Sequence, residues 1–280
     1  EEGFAGARVM LDEGLIDPAS VSRAFALHID PRIPVGRVAS RAGALLASAD
    51  GFAMTITGRG GHASMPHDTI DPVPVACEIV SAIQTLVTRR IDVFDPVVIT
   101  VTRIASGTTG NVIPESAEML GTIRATSPRA RERAHAGLRR VVEGIAAAHE
   151  VKAKLDIVEG YPVTVNDASA TEFAREVADD LFGANAFIPM PQPVMGAEDF
   201  SFVLERIPGA MIILGVRPDG DAQEVLNGAG IAPLFRRADD RERQCPGIRL
   251  EHLAGGIGRP VVAHEQLVLP LEGAEHLPDF

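Results

Sequence analysis

The stretch GFAMTITGRGGHASMPHDTIDPV, residues 51–73, contains the pattern that decides the fold. Its first seven residues alternate between the two faces of an extended chain, which predicts a strand. A glycine-rich loop with His62 follows, and the apolar residues after the loop recur at helical spacing as Val75, Ile79, Ala82, Ile83 and Leu86. The stretch therefore predicts a strand, a loop and the start of a helix.

Four further segments downstream complete a repeating order of strands and helices. Residues 95–107 and 117–126 are predicted strands, residues 127–150 a helix and residues 151–160 a fourth strand. Ser127 is a typical N-cap residue, and Pro128 suits the first helical position. The order β-α-β-β-α-β is that of a ferredoxin-like unit, so we expect residues 50–160 to form a self-contained inserted domain.

The flanking segments predict a separate α/β unit, interrupted by the insertion. Its predicted elements are a helix in residues 3–14, a buried strand in residues 24–31 that ends at Pro31, a helix in residues 166–183 capped by Asn166 or Asp167, and a buried strand in residues 210–216. Residues 1–49 and 161–217 are therefore predicted as the two parts of an α/β catalytic domain. Residues 218–280 show little periodicity and are treated as an atypical tail.

Composition excludes several classes of function. The net charge is −12, whereas nucleic acid or an anionic membrane surface would require a basic face. The sequence has no apolar run long enough to span a bilayer, and two distant cysteines give no disulfide framework. We therefore expect a cytoplasmic globular protein without a nucleic-acid or membrane partner.

Two acidic residues and one histidine near the start of the chain could carry chemistry. Glu1 and Glu2 are adjacent, so one carboxylate could bind a metal ion while its neighbour accepts a proton from water. An exposed acidic segment is the simpler interpretation of such a pair. His28 ends an apolar strand, where both a buried structural histidine and a metal ligand occur.

Three later motifs also allow either a structural or a functional interpretation. The glycines before His62 permit close approach of a ligand or of another chain, but they also suit a simple hairpin. Asn111 lies in a turn between two strands, where its amide could satisfy itself or donate to a carbonyl oxygen. Glu198 and Asp199 precede a predicted helix, where capping is the alternative to a role in a site.

Taken together, these motifs resemble those of a known family. The segments EEGFAGARVM, ALHIDP, GRGGHASMPHDTIDPV, GTTGNVIPESAEMLGTIR, GYPVTVND and GAEDFSFVLERIPGAMIILGV occur in the order found in aminoacylases, hippurate hydrolases and carboxypeptidases of the G type. The resemblance extends over residues 1 to about 217 and is greatest to the branch that acts on N-acyl amino acids. It implies an α/β metallopeptidase-type catalytic domain with an inserted ferredoxin-like lid and dimerisation domain.

The resemblance also implies roles for the candidate residues. Glu1 corresponds to the general base, Glu2 and His28 to metal ligands, and His62 to a catalytic histidine that reaches the active site of a partner subunit. Asn111 and Glu198 correspond to substrate-binding residues. The implied reaction is hydrolysis of the amide bond of a small N-acyl amino acid by a homodimer with two divalent metal ions, zinc or manganese.

Two departures from the family pattern lead to further expectations. Segments that carry more metal ligands in the family precede Glu1 there, so we expect the chain as given to be N-terminally truncated and largely inactive. His276 lies in an H-x-P-x-F pattern typical of a late family ligand, but its context is unlike the family. A coincidence, or a tail from a shifted reading frame, is favoured over a relocated ligand. The alternative to an enzyme is a non-catalytic remnant that retains a self-associating ferredoxin-like module.

Overall fold

A computed structural model describes residues 5–217 of the chain as a mixed α/β structure. The helices are α1 (Gly6–Asp12), α2 (Pro72–Arg90), α3 (Pro128–Ala148), α4 (Ala168–Phe182) and α5 (Ser201–Leu204), with a 3-10 turn at Pro66–Asp68. The first six strands are β1 (Ala24–Pro34), β2 (Val38–Ser40), β3 (Gly43–Leu46), β4 (Ala49–Thr57), β5 (Gly61–His62) and β6 (Val97–Ser106). The remaining strands are β7 (Val112–Ile113), β8 (Ser116–Ala125), β9 (Lys152–Tyr161), β10 (Thr164–Asn166), β11 (Phe187–Pro189) and β12 (Gly209–Arg217).

The segment from β4 to β9 has the predicted ferredoxin-like topology. Its four-stranded sheet has the order β6-β8-β4-β9, and every neighbouring pair is antiparallel. Helices α2 and α3 cover one face, because their apolar stripes and the inward residues of the sheet form one buried cluster. This cluster includes Phe52, Met54, Ile56, Ile79, Ile83, Met119, Ile123, Leu138 and Val142. The predicted order of strands and helices is thereby confirmed, while the domain boundaries stay a prediction.

A second four-stranded sheet is built from segments that precede β4 and follow β9 in the chain. Its order is β1-β12-β2-β11, with β1 parallel to β12 and β12 antiparallel to β2. Strands β3 and β10 form a separate antiparallel pair. Helix α1 packs with α5 and β3 in a small apolar core of Leu11, Ile16, Leu45, Leu46, Phe200, Val203, Ile207 and Met211.

The prediction that residues 24–31 form a buried strand is wrong in two respects. Strand β1 continues past Pro31 to Pro34, and its side chains are only partly buried. Leu27 is 66% exposed and Ile29 is 45% exposed. The physical reason is position: among residues 5–217, β1 pairs with β12 alone and therefore lies at an edge of the sheet.

Helix caps follow the sequence signals closely. Ser127 caps α3 by accepting a hydrogen bond from the backbone N–H of Ala130 at 3.0 Å. Asp167, rather than Asn166, caps α4, because the Asn166 side chain is buried and accepts a hydrogen bond from the backbone N–H of Met211. Within residues 5–217, none of the helices has the length and hydropathy needed to cross a bilayer.

Replacing Ser127 with alanine should lower the free energy of unfolding by about 1–2 kcal/mol, the usual effect of losing an N-cap side chain. The hydroxyl also donates to Asp95 Oδ2 at 2.8 Å, so the change leaves two groups with one partner fewer. Chemical denaturation measures the loss. Ser81→Ala is the matched control, because Ser81 lies on the exposed face of α2 and its hydroxyl donates to the backbone carbonyl of Cys77, so its removal should leave stability unchanged. Equal losses for the two variants would contradict the capping role.

Candidate functional site

The candidate residues fall into three groups in the structure. Glu1, Glu2 and His276 lie outside the described residues. His28 and Glu198 are brought together from positions far apart in the chain. His62 and Asn111 are brought together where the short strands β5 and β7 pair. Each of the last two groups has its own supporting framework.

His28 and Glu198 form the centre of the candidate site. His28 Nδ1 lies 3.1 Å from Glu198 Oε1, the imidazole is about half exposed, and the carboxylate is largely buried. A carboxylate at one ring nitrogen orients the imidazole and favours the other nitrogen, Nε2, for binding a metal ion. The geometry therefore suits His28 as a ligand and Glu198 as the group that orients it.

Asp30 extends the acidic character of this end of β1. Its carboxylate accepts hydrogen bonds from the backbone N–H of Arg32 at 2.8 Å and from the Arg32 guanidinium at 2.6 Å. Burial raises the pKa of Asp30, but the hydrogen bonds from Arg32 and the charges of Arg32 and His28 outweigh burial and hold the pKa below its ordinary value. Asp30 is therefore an ionised carboxylate two residues from His28.

The loop that carries Glu198 is held from both sides. The backbone carbonyl of Glu198 accepts hydrogen bonds from the Ser201 hydroxyl at 2.6 Å and from the Ser201 N–H at 3.2 Å. The Asp199 carboxylate turns the other way and accepts from the backbone N–H of Ala7 at 2.9 Å. Asp199 therefore caps α1, a helix that has no side-chain cap of its own.

The hydrogen-bond partners of His62 favour one tautomer of its imidazole. The backbone N–H of Ser64 donates to His62 Nδ1 at 3.2 Å, and the Ser64 hydroxyl lies 2.7 Å from the same nitrogen. Because Nδ1 accepts, the proton of the neutral imidazole lies on Nε2. His62 thus presents an N–H donor, which is the group needed to polarise a carbonyl oxygen.

Asn111 lies beside His62 through the pairing of two short strands. His62 in β5 pairs with Val112 in β7, and the backbone N–H of Ala63 donates to the carbonyl of Asn111 at 3.0 Å. A cavity of about 420 Å³ opens along residues 106–110 of the adjoining turn. This pairing therefore brings the backbone of Asn111 next to the segment that carries His62.

The fit of a divalent metal ion can be tested on the donors present. Imidazole nitrogen and carboxylate oxygen are suitable ligands for zinc or manganese. Within the described part of the chain, however, no group of three or more His, Cys, Asp or Glu side chains is placed to hold a metal ion. Residues 5–217 therefore supply part of a donor set and not a complete site.

Sequence reasoning missed the supporting residues. It treated Asp199 as a possible cap of the following helix, whereas Asp199 caps α1, which is 192 positions away. Ser201 and Asp30 were not singled out, because a serine in a short helix and an Asp-x-Arg sequence are common in ordinary proteins. The dense GAEDFS motif was the available signal, since Glu198 and Asp199 contact different distant segments and Ser201 bonds back to Glu198.

Comparisons with known proteins define the class to which this fold and site belong. The sequence model of Peptidase family M20/M25/M40 matches residues 1–226. IAA-amino acid hydrolase ILR1-like 2 of Arabidopsis thaliana is 39% identical over 246 residues, which are 86% of this chain and 54% of that protein. N-acetylcysteine deacetylase of Bacillus subtilis is 39% identical over 215 residues, or 77% of this chain and 55% of that protein.

A solved structure agrees with these matches. A Bacillus subtilis protein described as a dinuclear metal binding peptidase from the M20 family superposes with a TM-score of 0.62 at 33% identity. The superposition covers 75% of this chain and 51% of that one. The chain belongs to Peptidase family M20/M25/M40, and it spans about half the length of the curated relatives that it matches.

Proposed function

We propose that the protein hydrolyses the amide bond of small N-acyl amino acids in a metal-dependent reaction. The observation that carries the proposal is the His28–Glu198 pair, a metal-binding type of imidazole with a carboxylate 3.1 Å from its other ring nitrogen. Family membership supports the reaction class, since the relatives named above are an amino acid conjugate hydrolase and a deacetylase of an N-acetyl amino acid.

Each candidate residue has a distinct role in this proposal. Glu2 and His28 bind divalent metal ions, zinc or manganese, and two ions are favoured because a related structure is described as dinuclear. When bound, such ions polarise the amide carbonyl and make water a better nucleophile. Glu1 accepts a proton from water and returns it to the leaving amine, which requires a carboxylate close to both atoms.

His62 and Asn111, at the paired strands β5 and β7, act on the substrate in this proposal. His62 donates its Nε2–H to the oxygen of the scissile carbonyl, where negative charge develops. Asn111 contributes its side-chain amide as a second donor. Glu198 lines the substrate site while it orients His28. In this arrangement the ferredoxin-like unit serves as a lid and as the interface of a homodimer, in which each subunit lends His62 to its partner.

The decisive test uses the natural, full-length protein. We expect it to bind two zinc or manganese ions and to hydrolyse N-acetyl or N-benzoyl amino acids, with activity lost on chelation and restored by the metal. Metal content by mass spectrometry and amine release measure both properties. A protein that binds no metal and releases no amino acid would contradict the proposal.

Residues 1–280 by themselves are expected to hydrolyse these substrates poorly. The described residues provide fewer than three grouped metal-binding side chains, so tight binding of two ions needs donors from elsewhere. Stoichiometric tight binding of two ions by this chain would overturn the expectation. A cytoplasmic location is consistent with a small amino acid substrate and is part of the same proposal.

One observation favours a second candidate function, self-association without catalysis. The face of the ferredoxin-like sheet opposite its helices carries exposed apolar side chains at Val98, Leu120 and Val158. Apolar side chains on an open sheet face are typical of a surface that another chain covers. Residues 50–160 expressed alone should form a dimer on size exclusion if this function is correct, and a monomer would count against it.

A further inference from the structure

We infer that Asp199 is a positioning residue. It anchors the loop that it shares with Glu198 to helix α1 and thereby fixes Glu198 against His28 of β1. The inference rests on the proposed function for the importance of the His28–Glu198 pair. The contact itself does not depend on that function, because Asp199 Oδ2 accepts the backbone N–H of Ala7 at 2.9 Å. The bond joins segments that are 192 positions apart.

The direction of the two neighbouring carboxylates supports this role. Glu198 points to His28, and Asp199 points to the start of α1. Since side chains of adjacent residues leave the backbone in different directions, fixing one of them limits the rotation of the loop that carries the other. The backbone N–H of Phe202 donates to the carbonyl of Asp199 at 3.0 Å, so the same residue is also tied to the start of α5.

Helix α1 is a suitable anchor because it is itself docked on α5. Arg8 lies over the ring of Phe202 at 5.7 Å, and Arg206 pairs with Asp12 at 3.0 Å. The first turn of α1 has no side-chain cap from its own segment, and a carboxylate at a helix N-terminus is favourable for both the unpaired N–H groups and the helix dipole. The anchor and the loop therefore stabilise each other.

The experiment compares Asp199→Ala with Asp199→Asn in the natural protein. Asparagine keeps a side-chain oxygen that can accept from Ala7, whereas alanine keeps none. The first readout is the tautomer of His28, measured from imidazole ¹⁵N shifts at pH 8 without metal. We expect the wild type and Asp199→Asn to hold the proton on Nδ1, and Asp199→Ala to give a mixture of both tautomers.

The second readout is the affinity for Zn²⁺ alone, measured by calorimetry at a temperature where every variant is folded. We expect Asp199→Ala to weaken binding about tenfold, at the lower end of the effect of removing a group that orients a metal ligand, and Asp199→Asn to restore binding to within about threefold. Asp12→Ala is the matched control, because it removes the ion pair between the far end of α1 and Arg206, just after α5, and should move neither readout.

The outcomes separate this inference from the proposed function. An unchanged His28 tautomer in Asp199→Ala overturns the inference, whatever the catalytic activity. Loss of Zn²⁺ affinity equally in Asp12→Ala and Asp199→Ala also overturns it, since the effect would then follow general docking of α1. A wild type that binds no Zn²⁺ contradicts the proposed function, while the tautomer comparison still decides the role of Asp199.

Discussion

Replacing Asp50 with asparagine is expected to lower the free energy of unfolding by about 3–5 kcal/mol, the range for removing one partner of a buried ion pair. The Asp50 side chain is fully buried and accepts hydrogen bonds from Arg131 Nε at 2.8 Å and from the backbone N–H of Gly160 at 3.0 Å. His135 Nε2 lies 2.7 Å from the same carboxylate. The variant leaves the largely buried guanidinium of Arg131 without its main anion.

The pH dependence of stability should change with the same substitution. Burial raises the pKa of Asp50, but the hydrogen bonds and charge of Arg131, the Gly160 N–H and the His135 hydrogen bond outweigh burial and lower the pKa below the ordinary value of 3.8. A lowered pKa in the folded state means that Asp50 contributes stability above the unfolded pKa and loses it as the pH falls through the folded pKa. The wild type should therefore lose stability below about pH 4, and this part of the loss should be absent in Asp50→Asn.

Urea denaturation between pH 2 and pH 7 measures both effects. Asp156→Asn is the control, because Asp156 forms an exposed ion pair with Lys154 on β9 of the same sheet, and its removal should change stability by less than about 1 kcal/mol. The role of the buried network would be contradicted if Asp50→Asn and Asp156→Asn lost similar amounts at neutral pH.

Replacing His62 with alanine is expected to lower kcat about 10²–10³-fold in the natural protein, the range for removing one donor to a developing oxyanion. The reason is the tautomer set by Ser64, which leaves the His62 proton on Nε2. KM should change much less, because the donor matters most when negative charge has developed on the carbonyl oxygen. Steady-state hydrolysis of an N-acetyl amino acid measures both constants.

The neighbouring His67 provides a matched control for this experiment. It lies in the same loop, is well exposed and is 4.0 Å from Asp68. His67→Ala should therefore keep kcat within about twofold of the wild type, as is usual for an exposed side chain away from the chemistry. A loss in kcat that is shared by both variants would assign the effect to the loop and not to the His62 donor.

Local patterns in the sequence were sufficient for most of the ferredoxin-like unit. The helical spacing of Val75, Ile79, Ala82, Ile83 and Leu86 predicts the buried face of α2, and all of them are buried except Ala82, which is partly buried. Ser127 and Pro128 predict the start of α3 because capping depends on residues within one turn. Such signals are short-range, so one sequence contains them.

Contacts between distant segments could not be predicted in the same way. The apolar run around Leu27 predicts a buried strand, but exposure depends on whether a second strand lies beside β1. The Asp50 network was also missed, although residues 50 and 160 were predicted as the boundaries of the ferredoxin-like domain. Asp50, Arg131 and Gly160 are ordinary residues in sequence and become a network only when three elements meet.

The pairing of Ala49 with Tyr161 has a consequence for exchanging the segment between them. The ferredoxin-like unit starts with β4 and finishes with β9, and these neighbouring antiparallel strands bring the entrance and the exit of the unit side by side. A module whose two ends are adjacent can be exchanged for another, or deleted and bridged by a short link, with little change in the path of the host chain. A graft at this point would keep the path of the flanking segments, and it would have to rebuild the hydrogen bonds of Asp50 with Arg131 and Gly160.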